Sequence, residues 1–327
     1  MKAVVATKYG PPDVLQVQEV DKPAPTDSQL LVRVRAVSLN PAEWRMRRGM
    51  LLARVVTRAF SRPPEPMLAA DFAGRVEAVG RDVSEYAVGD EVYGRRSPDG
   101  FAEYVCVSEK SIARKPANVT FEQAAAVPVA GLTALQSIRD NGQLRPGQKV
   151  LINGAAGGVG TFGVQIAKAF GAEVTGVCSP RNLELVRSLG ADRVVDYTRE
   201  DFTRSGQQYD LIIDNVGNRS LADQARVLRP GGICVIVGYT SLPLLFQHLV
   251  LARLISRMGS KRFGMMLARI THADLVVMNE LMASGKIVPV VDRRYPLSQV
   301  VEAYRYVETL HARGKVVVTF DQESGPR

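Results

Sequence analysis

The sequence predicts an α/β protein in which a doubly wound parallel sheet is joined to a β-rich barrel. Three features carry this expectation. Short strand-like segments separated by turn residues fill the first 120 residues; from Phe121 onward Ala-rich helical segments alternate with short apolar runs; and one such run, "KVLIN", leads into the glycine-rich turn "GAAGGVG". Parallel neighbours in a sheet require a crossover, and a helix between two apolar runs supplies it.

In chain order, "AVVATKYG" and "LLVRVRAVSL" show the β-branched content and alternation of half-buried strands. "DFAGRVEAVG", "GDEVYG" and "FAEYVCV" continue the pattern, with Gly and Asp at the bends. The apolar runs that follow span 149–153, 173–178, 193–197, 210–216 and 231–238. Between the first two, Val159, Phe162, Gly163, Ile166, Ala167 and Phe170 fall at helical spacing, and Gly171 supplies a stop. After the second, "RNLELVRSLGAD" reads as a shorter helix stopped by Gly190. The remainder, from "ADLVVMNELMASGKIVPVV" to "GKVVVTF", reads as helix, strand, helix, strand, and "DQESGPR" as a loose tail.

Composition narrows the class. A chain of 327 residues, 46% hydrophobic and 23% charged, is long enough for two globular domains with a sizeable core. The net charge of +9 suits either an anionic partner or a solvated basic surface. No Lys/Arg run carries interleaved aromatics and no zinc-finger spacing occurs, so nucleic-acid binding is not expected. Cys106, Cys178 and Cys234 lie far apart, which offers neither a disulfide framework nor a Cys-rich zinc lobe. His248, His272 and His311 are dispersed and read as surface residues, so no metal site is expected. The segment "MKAVVATKYG" is too short in its apolar run for a signal peptide, and a reducing cytoplasm is the expected setting. The stretch 242–270 mixes Leu, Ile, Met and Phe with Arg253, Arg257, Lys261, Arg262 and Arg269. It reads either as a helix lying on an anionic bilayer, the less expected case, or as one packed on its own domain or a second subunit.

The glycine turn carries the first chemical signal. A strand-to-helix turn presents unpaired N–H groups at the positive end of a helix, where a pyrophosphate can sit. On the usual dinucleotide spacing Ala155 takes the first glycine position, Gly157 the second, where backbone meets phosphate, and Gly160 the third, where the helix must pack closely. Ala155 requires only that the turn avoid positive φ there, with Gly154 available to absorb it. Gly158 and Val159 complete the turn. At the end of the second run, "CSPRN" offers Ser179, Arg181 and Asn182 with no acid among them. A carboxylate there would bind a ribose 2′-OH, whereas this set suits a 2′-phosphate and hence NADPH. The same residues also read as an ordinary helix start, with Ser179 as cap and Pro180 following, and the two readings are compatible.

Over nearly its whole length the chain resembles the medium-chain dehydrogenase/reductase superfamily and, within it, the zinc-independent quinone oxidoreductase branch. The matching segments are "SLNPAEWRMRRG", "AADFAGRVEAVG", "VGDEVYG", "FAEYVCV", "AAAVPVAGLTALQSI", "GAAGGVG", "RSLGAD" and "GKVVVTF". It is most similar to the subgroup of chloroplast-envelope quinone oxidoreductase homologues and reticulon-interacting relatives. The resemblance implies a GroES-like β-barrel catalytic domain over 1–121 and 271–327, embracing a Rossmann NADPH-binding domain over 122–270, with nicotinamide and substrate held between them. It implies a homodimer, and hydride transfer from NADPH to a small-molecule quinone or enone.

The resemblance also distributes roles. Zinc relatives place Cys, then Gly-His-Glu, around a catalytic metal; here Asn40 and Ala70 stand at the Cys and His positions and Asp71 at the Glu. Without a Lewis acid the alkoxide route of alcohol oxidation loses its driver, while an activated double bond needs none. Asn40 and Thr133 would border the nicotinamide, Tyr197 the adenosine phosphate, and Asn215 and Gly238 the cofactor crevice, with Lys315 closing the site from the last strand. Bacterial quinone oxidoreductases often carry Tyr where this chain has Arg45, beside Trp44, which leaves the proton donor unassigned. Arg45 or Arg47 would stabilise developing negative charge, since Arg does not readily release a proton, and Glu43 would fix its loop by pairing with an Arg. Two rivals stay open at this stage: an alcohol or aldehyde oxidoreductase working without zinc, and a non-catalytic NADPH-binding scaffold.

Overall fold

The computed structural model describes residues 1–49, 68, 70–97, 99–241, 243–246, 248, 252 and 260–320. The chain divides into two compact units, Met1–Val129 with Ile270–Arg327, and Ala130–Arg269. The stretch "GMLLARVVTRAFSRPPEP" lies outside the described residues from its second position on, as does the tail after Phe320.

In the first unit, β1 (Lys2–Ala6) pairs antiparallel with β2 (Leu15–Glu19). The main sheet begins with β3 (Gln29–Ser38), followed by β4 (Ala70–Val79), β5 (Glu91–Arg96), β6 (Tyr104–Ser108) and β7 (Ile112–Arg114). β3 is the hub: β4 runs along it, and β6 pairs with its first half, Gln29–Arg33. With neighbours on both edges β3 is buried at nearly every position, so its alternation is weaker than that of a sheet with one wet face. After β3 comes the short helix α1 (Pro41–Arg47), opened by Pro41, whose fixed φ suits the first helical turn. Asn40 is its N-cap residue, yet its side chain makes no capping hydrogen bond because other groups hold it. α2 (Phe121–Ala125) starts on a capping box in which the Gln123 N–H donates to Thr120 Oγ1 at 3.3 Å and the Thr120 N–H to Gln123 Oε1 at 3.0 Å. α3 (Pro128–Gln136) follows, and the chain passes into the second unit within it, after Val129.

The second unit is a six-stranded sheet of β8 (Lys149–Asn153), β9 (Glu173–Cys178), β10 (Arg193–Asp196), β11 (Tyr209–Asp214), β12 (Leu228–Ile236) and β13 (Arg262–Met265). All neighbours are parallel, in the order β10-β9-β8-β11-β12-β13. The crossovers include α4 (Gly158–Ala169), α5 (Leu183–Ser188) and α6 (Leu221–Val227). Leu151, Val177, Ile212 and Cys234, one from each of four adjacent strands, share a core with Phe202, Leu221 and Val227. Gly171 and Gly190, with φ of 80° and 102°, end the helices where the sequence places the stops. The order reverses between β8 and β11, and in such sheets the carboxyl ends of the strands at that point form a ligand crevice.

Two expectations change here. β11 ends at Asp214 rather than 216, because the Asp214 carboxylate accepts the N–H groups of Val216 and Gly217 at 3.1 and 2.9 Å and bends the chain out of the ladder. Arg262–Met265, inside the stretch read as one amphipathic helix, is the edge strand β13, paired with Ile233–Ile236. A parallel partner for β12 outweighs the helical period of a short mixed segment. Residues 243–246 are helical, and most of 247–259 lies outside the described residues. Among the described residues no helix is long and apolar enough to cross a membrane.

The chain then returns to the first unit through α7 (His272–Ala283), β14 (Val291–Pro296), α8 (Val300–Glu308) and β15 (Lys315–Thr319). β15 runs antiparallel beside the second half of β3, on the edge that β6 occupies further along. Val300, Ala303, Tyr304 and Val307 form the buried stripe of α8 and join Val32, Phe72, Val105 and Val318 in one core, so both ends of the chain stabilise the same sheet. The histidines are less uniform than expected: His311 is exposed, His272 is half-buried with Nδ1 at 2.7 Å from the Ile112 carbonyl oxygen, and His248 is buried.

Candidate functional site

The glycine turn joins β8 to α4. The positive φ, 76°, falls on Gly154 and not on Ala155, so a methyl group at the first glycine position costs no backbone strain. Ala155 is fully buried, and its N–H, like that of Gly154, donates to the Val177 carbonyl of β9. Gly157 is the N-cap of α4 and no side chain caps the helix there, which leaves the first-turn N–H groups of Gly158, Val159 and Gly160 to a ligand or water. A Cβ at Gly157 would meet only the Gly154 oxygen, at 3.5 Å, so the space over the turn is open. At Gly160 the reverse holds: a Cβ would lie 2.1 Å from the Gly154 oxygen and 2.7 Å from Ala155 Cα. The third glycine packs the helix against the turn itself.

The other expected cofactor residues of this unit follow the ends of successive parallel strands. Ser179 follows β9 and caps the turn Pro180–Asn182; its Oγ accepts from Asn182 Nδ2 at 3.0 Å. Arg181 is exposed, and Asn182 is buried with Oδ1 lacking a hydrogen-bond partner. Tyr197 follows β10, is half exposed, and donates its N–H to the Cys178 carbonyl at 3.3 Å. Asn215 follows β11 and donates from Nδ2 to the Asn153 carbonyl at 3.0 Å, while its own Oδ1 is buried without a partner. Gly238 follows β12, and a Cβ there would strike the Asn215 carbonyl oxygen at 2.1 Å. Thr133 is buried on α3. Burial, and secondarily Asp196, pushes the Cys178 thiol up to about 11, so this cysteine stays protonated at neutral pH.

The group that shapes the crevice was not singled out from sequence. Asp214 is 1% exposed and accepts from Asn153 Nδ2 at 2.8 Å and Gln224 Nε2 at 2.6 Å, besides the two backbone donors of its turn. It therefore ties the end of β8, the turn after β11 and helix α6 together at the switch point. An acid closing the apolar run "DLIID" was the available signal, since a carboxylate at a buried strand end requires donors. Asp214→Ala is expected to lower unfolding free energy by about 3 kcal/mol, because it strands several buried donors; urea unfolding followed by circular dichroism measures it.

The expected catalytic residues belong to the first unit. Asn40 is 2% exposed, and both of its amide hydrogens and one lone pair of its oxygen are engaged: Nδ2 donates to Asp71 Oδ2 at 3.0 Å and Glu43 Oε1 at 3.3 Å, and Oδ1 accepts from Lys315 Nζ. Arg95 bridges the two carboxylates, from Nη1 to Asp71 at 2.7 Å and from Nη2 to Glu43 at 3.0 Å. Burial pushes the Glu43 carboxyl up against the pull of Arg95, and pushes the Lys315 ammonium down against Asp71 and Glu43. Burial also pulls on Arg95, but the two carboxylates outweigh it and hold the guanidinium firmly charged. Lys315 is thus an interior member of this cluster, 3% exposed. Arg47 is buried as well, bonded to the Gly10 carbonyl at 2.5 Å and to Glu308, with the Tyr304 ring 5.5 Å away. Its guanidinium is committed to joining α1 to α8. Arg45 is half-buried, 5.4 Å from the Trp44 ring. Among the described residues no group of three or more His, Cys, Asp or Glu is placed to hold a metal.

Comparison with known proteins places this geometry. Residues 26–117 match the family of alcohol dehydrogenase GroES-like domains, and residues 189–318 match that of zinc-binding dehydrogenases. The chain is 36% identical to a 2-methylene-furan-3-one reductase of Solanum lycopersicum, with 97% of the chain and 79% of that protein covered. The chain belongs to the medium-chain dehydrogenase/reductase superfamily, in its quinone oxidoreductase branch. Identity is also 36%, over 97% of the chain and 79% of the relative, to the chloroplastic NADPH-dependent alkenal/one oxidoreductase of Arabidopsis thaliana. Among solved structures, the quinone oxidoreductase of Coxiella burnetii is 32% identical with a TM-score of 0.84, over 98% of this chain and 99% of that one. The chain is therefore an oxidoreductase of a nicotinamide-dependent family, and the mixed fold of GroES-like and parallel-sheet units is that of its relatives.

Proposed function

We propose that this medium-chain dehydrogenase/reductase is an NADPH-dependent reductase of quinones or α,β-unsaturated carbonyl compounds that works without zinc. The observation that carries the reading is the uncapped start of α4 at the strand-order reversal, with open space over Gly157 and the acid-free Ser179–Asn182 turn one strand away. These residues fit a dinucleotide. The bare N–H groups suit a pyrophosphate, the unpartnered Oδ1 atoms of Asn182 and Asn215 suit hydroxyl or amide donors, and Arg181 suits a 2′-phosphate. A bound NADPH supplies hydride from C4 of its nicotinamide. The chain contributes orientation through the turn amides and the residues at the strand ends, which converts encounter into an aligned approach. The relatives, a 2-methylene-furan-3-one reductase and an NADPH-dependent alkenal/one oxidoreductase, support an electron-poor double bond as acceptor.

The test is cofactor consumption with a naphthoquinone, an alkenal and an alkenone, each with NADPH and NADH, with and without chelator. Turnover that prefers NADPH and ignores the chelator is expected. Arg181→Ala is expected to weaken NADPH about ten-fold, the loss of one exposed charge-assisted contact, and to leave NADH unchanged. Equal use of both cofactors by the unaltered protein overturns the phosphate assignment. The free cysteines suit a reducing, cytoplasmic compartment, and a homodimer is the expected assembly, which light scattering after gel filtration checks.

A further inference from the structure

The first unit gathers two buried carboxylates, Glu43 and Asp71, the buried Lys315 and the partly buried Arg95 around one carboxamide, that of Asn40. They come from the end of β3, the start of α1, the start of β4, the end of β5 and the start of β15. Stability alone does not account for such a cluster, since well-packed apolar residues of similar volume are often as stable as buried ion pairs. What the arrangement does determine is the orientation of the amide. Both hydrogens on Nδ2 point at carboxylates and Oδ1 faces an ammonium; turning the amide over would set –NH2 against –NH3⁺ and the carbonyl oxygen against two anions. Asp71 is itself held from two more sides, by Arg95 and by the Val129 N–H at 3.0 Å. Lys315 is held by the Leu39 carbonyl at 2.9 Å. Every contact that orients Asn40 is therefore anchored in turn.

We propose that Lys315 is a positioning residue that locks the Asn40 carboxamide in one orientation, with both amide hydrogens consumed inside the cluster and only the second lone pair of Oδ1 left to accept a hydrogen bond. This deepens the reductase reading and rests on it only for its kinetic consequence. It leaves Asn40 no free donor for a developing oxyanion, because both of its amide hydrogens are consumed within the cluster.

The test uses the full chain with selectively ¹⁵N-labelled asparagine, the Asn40 side-chain signals being those lost in Asn40→Ser. In the cofactor-free protein the two Asn40 amide protons are expected to exchange slowly with solvent. Lys315→Met is expected to speed that exchange at least about ten-fold, and Lys315→Arg, which keeps a cationic donor, to restore part of the protection. With NADPH and a naphthoquinone, Lys315→Met is expected to lower kcat about ten-fold while the dissociation constant for NADPH changes less than two-fold. If Lys315→Met does not fold, Lys315→Gln carries the same measurements. A variant that lowers the urea midpoint yet keeps Asn40 protection and kcat makes Lys315 merely structural and overturns the proposal. If the unaltered chain turns over none of the acceptors, the reductase reading fails, and the exchange experiment still decides the positioning role.

Discussion

Gly160→Val is expected to lower the unfolding free energy by about 3 kcal/mol or more, whereas Gly157→Ala, three residues earlier in the same turn, is expected to leave stability nearly unchanged. The difference follows from what each Cβ would meet. At position 160 it would stand 2.1 Å from the Gly154 oxygen, and backbone cannot yield as a flexible side-chain end can. At position 157 it would touch one atom at 3.5 Å, and a φ of −82° suits any L-residue. The binding outcome should be the inverse among folded proteins. On the proposed reading Gly157→Ala sets a methyl group where a pyrophosphate would approach, and is expected to weaken NADPH about ten-fold or more. Urea unfolding and fluorescence titration with NADPH separate the two. A Gly157→Ala protein that binds NADPH as the unaltered chain does would remove the turn from the cofactor site.

The second large effect is expected at the ion pair behind α1. Glu308→Ala leaves the fully buried Arg47 guanidinium with the Gly10 carbonyl and a ring face, and is expected to destabilise the protein by about 3–5 kcal/mol, the cost of stranding a buried charge. Arg48, the other partner of Glu308, is about half exposed and contributes little to that figure. The double variant Arg47→Met with Glu308→Leu is expected to recover most of the loss, since an apolar pair of similar volume avoids desolvating the charges. Chemical denaturation of the three variants supplies the comparison; a Glu308→Ala protein as stable as its parent would mean that the pair carries no weight.

These two sites show where sequence reading reaches and where it stops. The turn was legible because its requirements are local: Gly154 absorbs the positive φ and Gly157 stays uncapped within a few residues of chain, whatever lies further away. The strand-end positions after β9 to β12 were legible for a related reason. Apolar runs of strand length alternating with helices impose a parallel sheet, and a parallel sheet gathers its carboxyl ends on one side. The pairings of Arg47 and Lys315 were not legible because their partners are remote in sequence. Glu308 lies 261 residues from Arg47, and Asn40 lies 275 from Lys315. No spacing rule connects them, so a buried arginine looks like a free one until the chain closes. Asp214 stands between these cases. Two of its donors, Val216 and Gly217, follow it directly, but Asn153 belongs to another strand.

The sequence by itself determined the class of the protein: the doubly wound sheet, the β-rich companion unit, the glycine turn between strand and helix, and the family. Each rests on periodicity, on short motifs, or on their order along the chain, and these survive without knowledge of contacts. Only the tertiary structure decided which polar residues are spent inside the protein. Burial in a medium of low polarity makes an unpaired charge costly, so Arg47, Glu43, Asp71, Arg95 and Lys315 take partners from distant elements, and those pairings settle what each is free to do. Asn40 is the clearest instance. Its amide reads as an available hydrogen-bonding group in "SLNPAEW", and becomes, once β4, β5 and β15 surround it, an acceptor held by an ammonium.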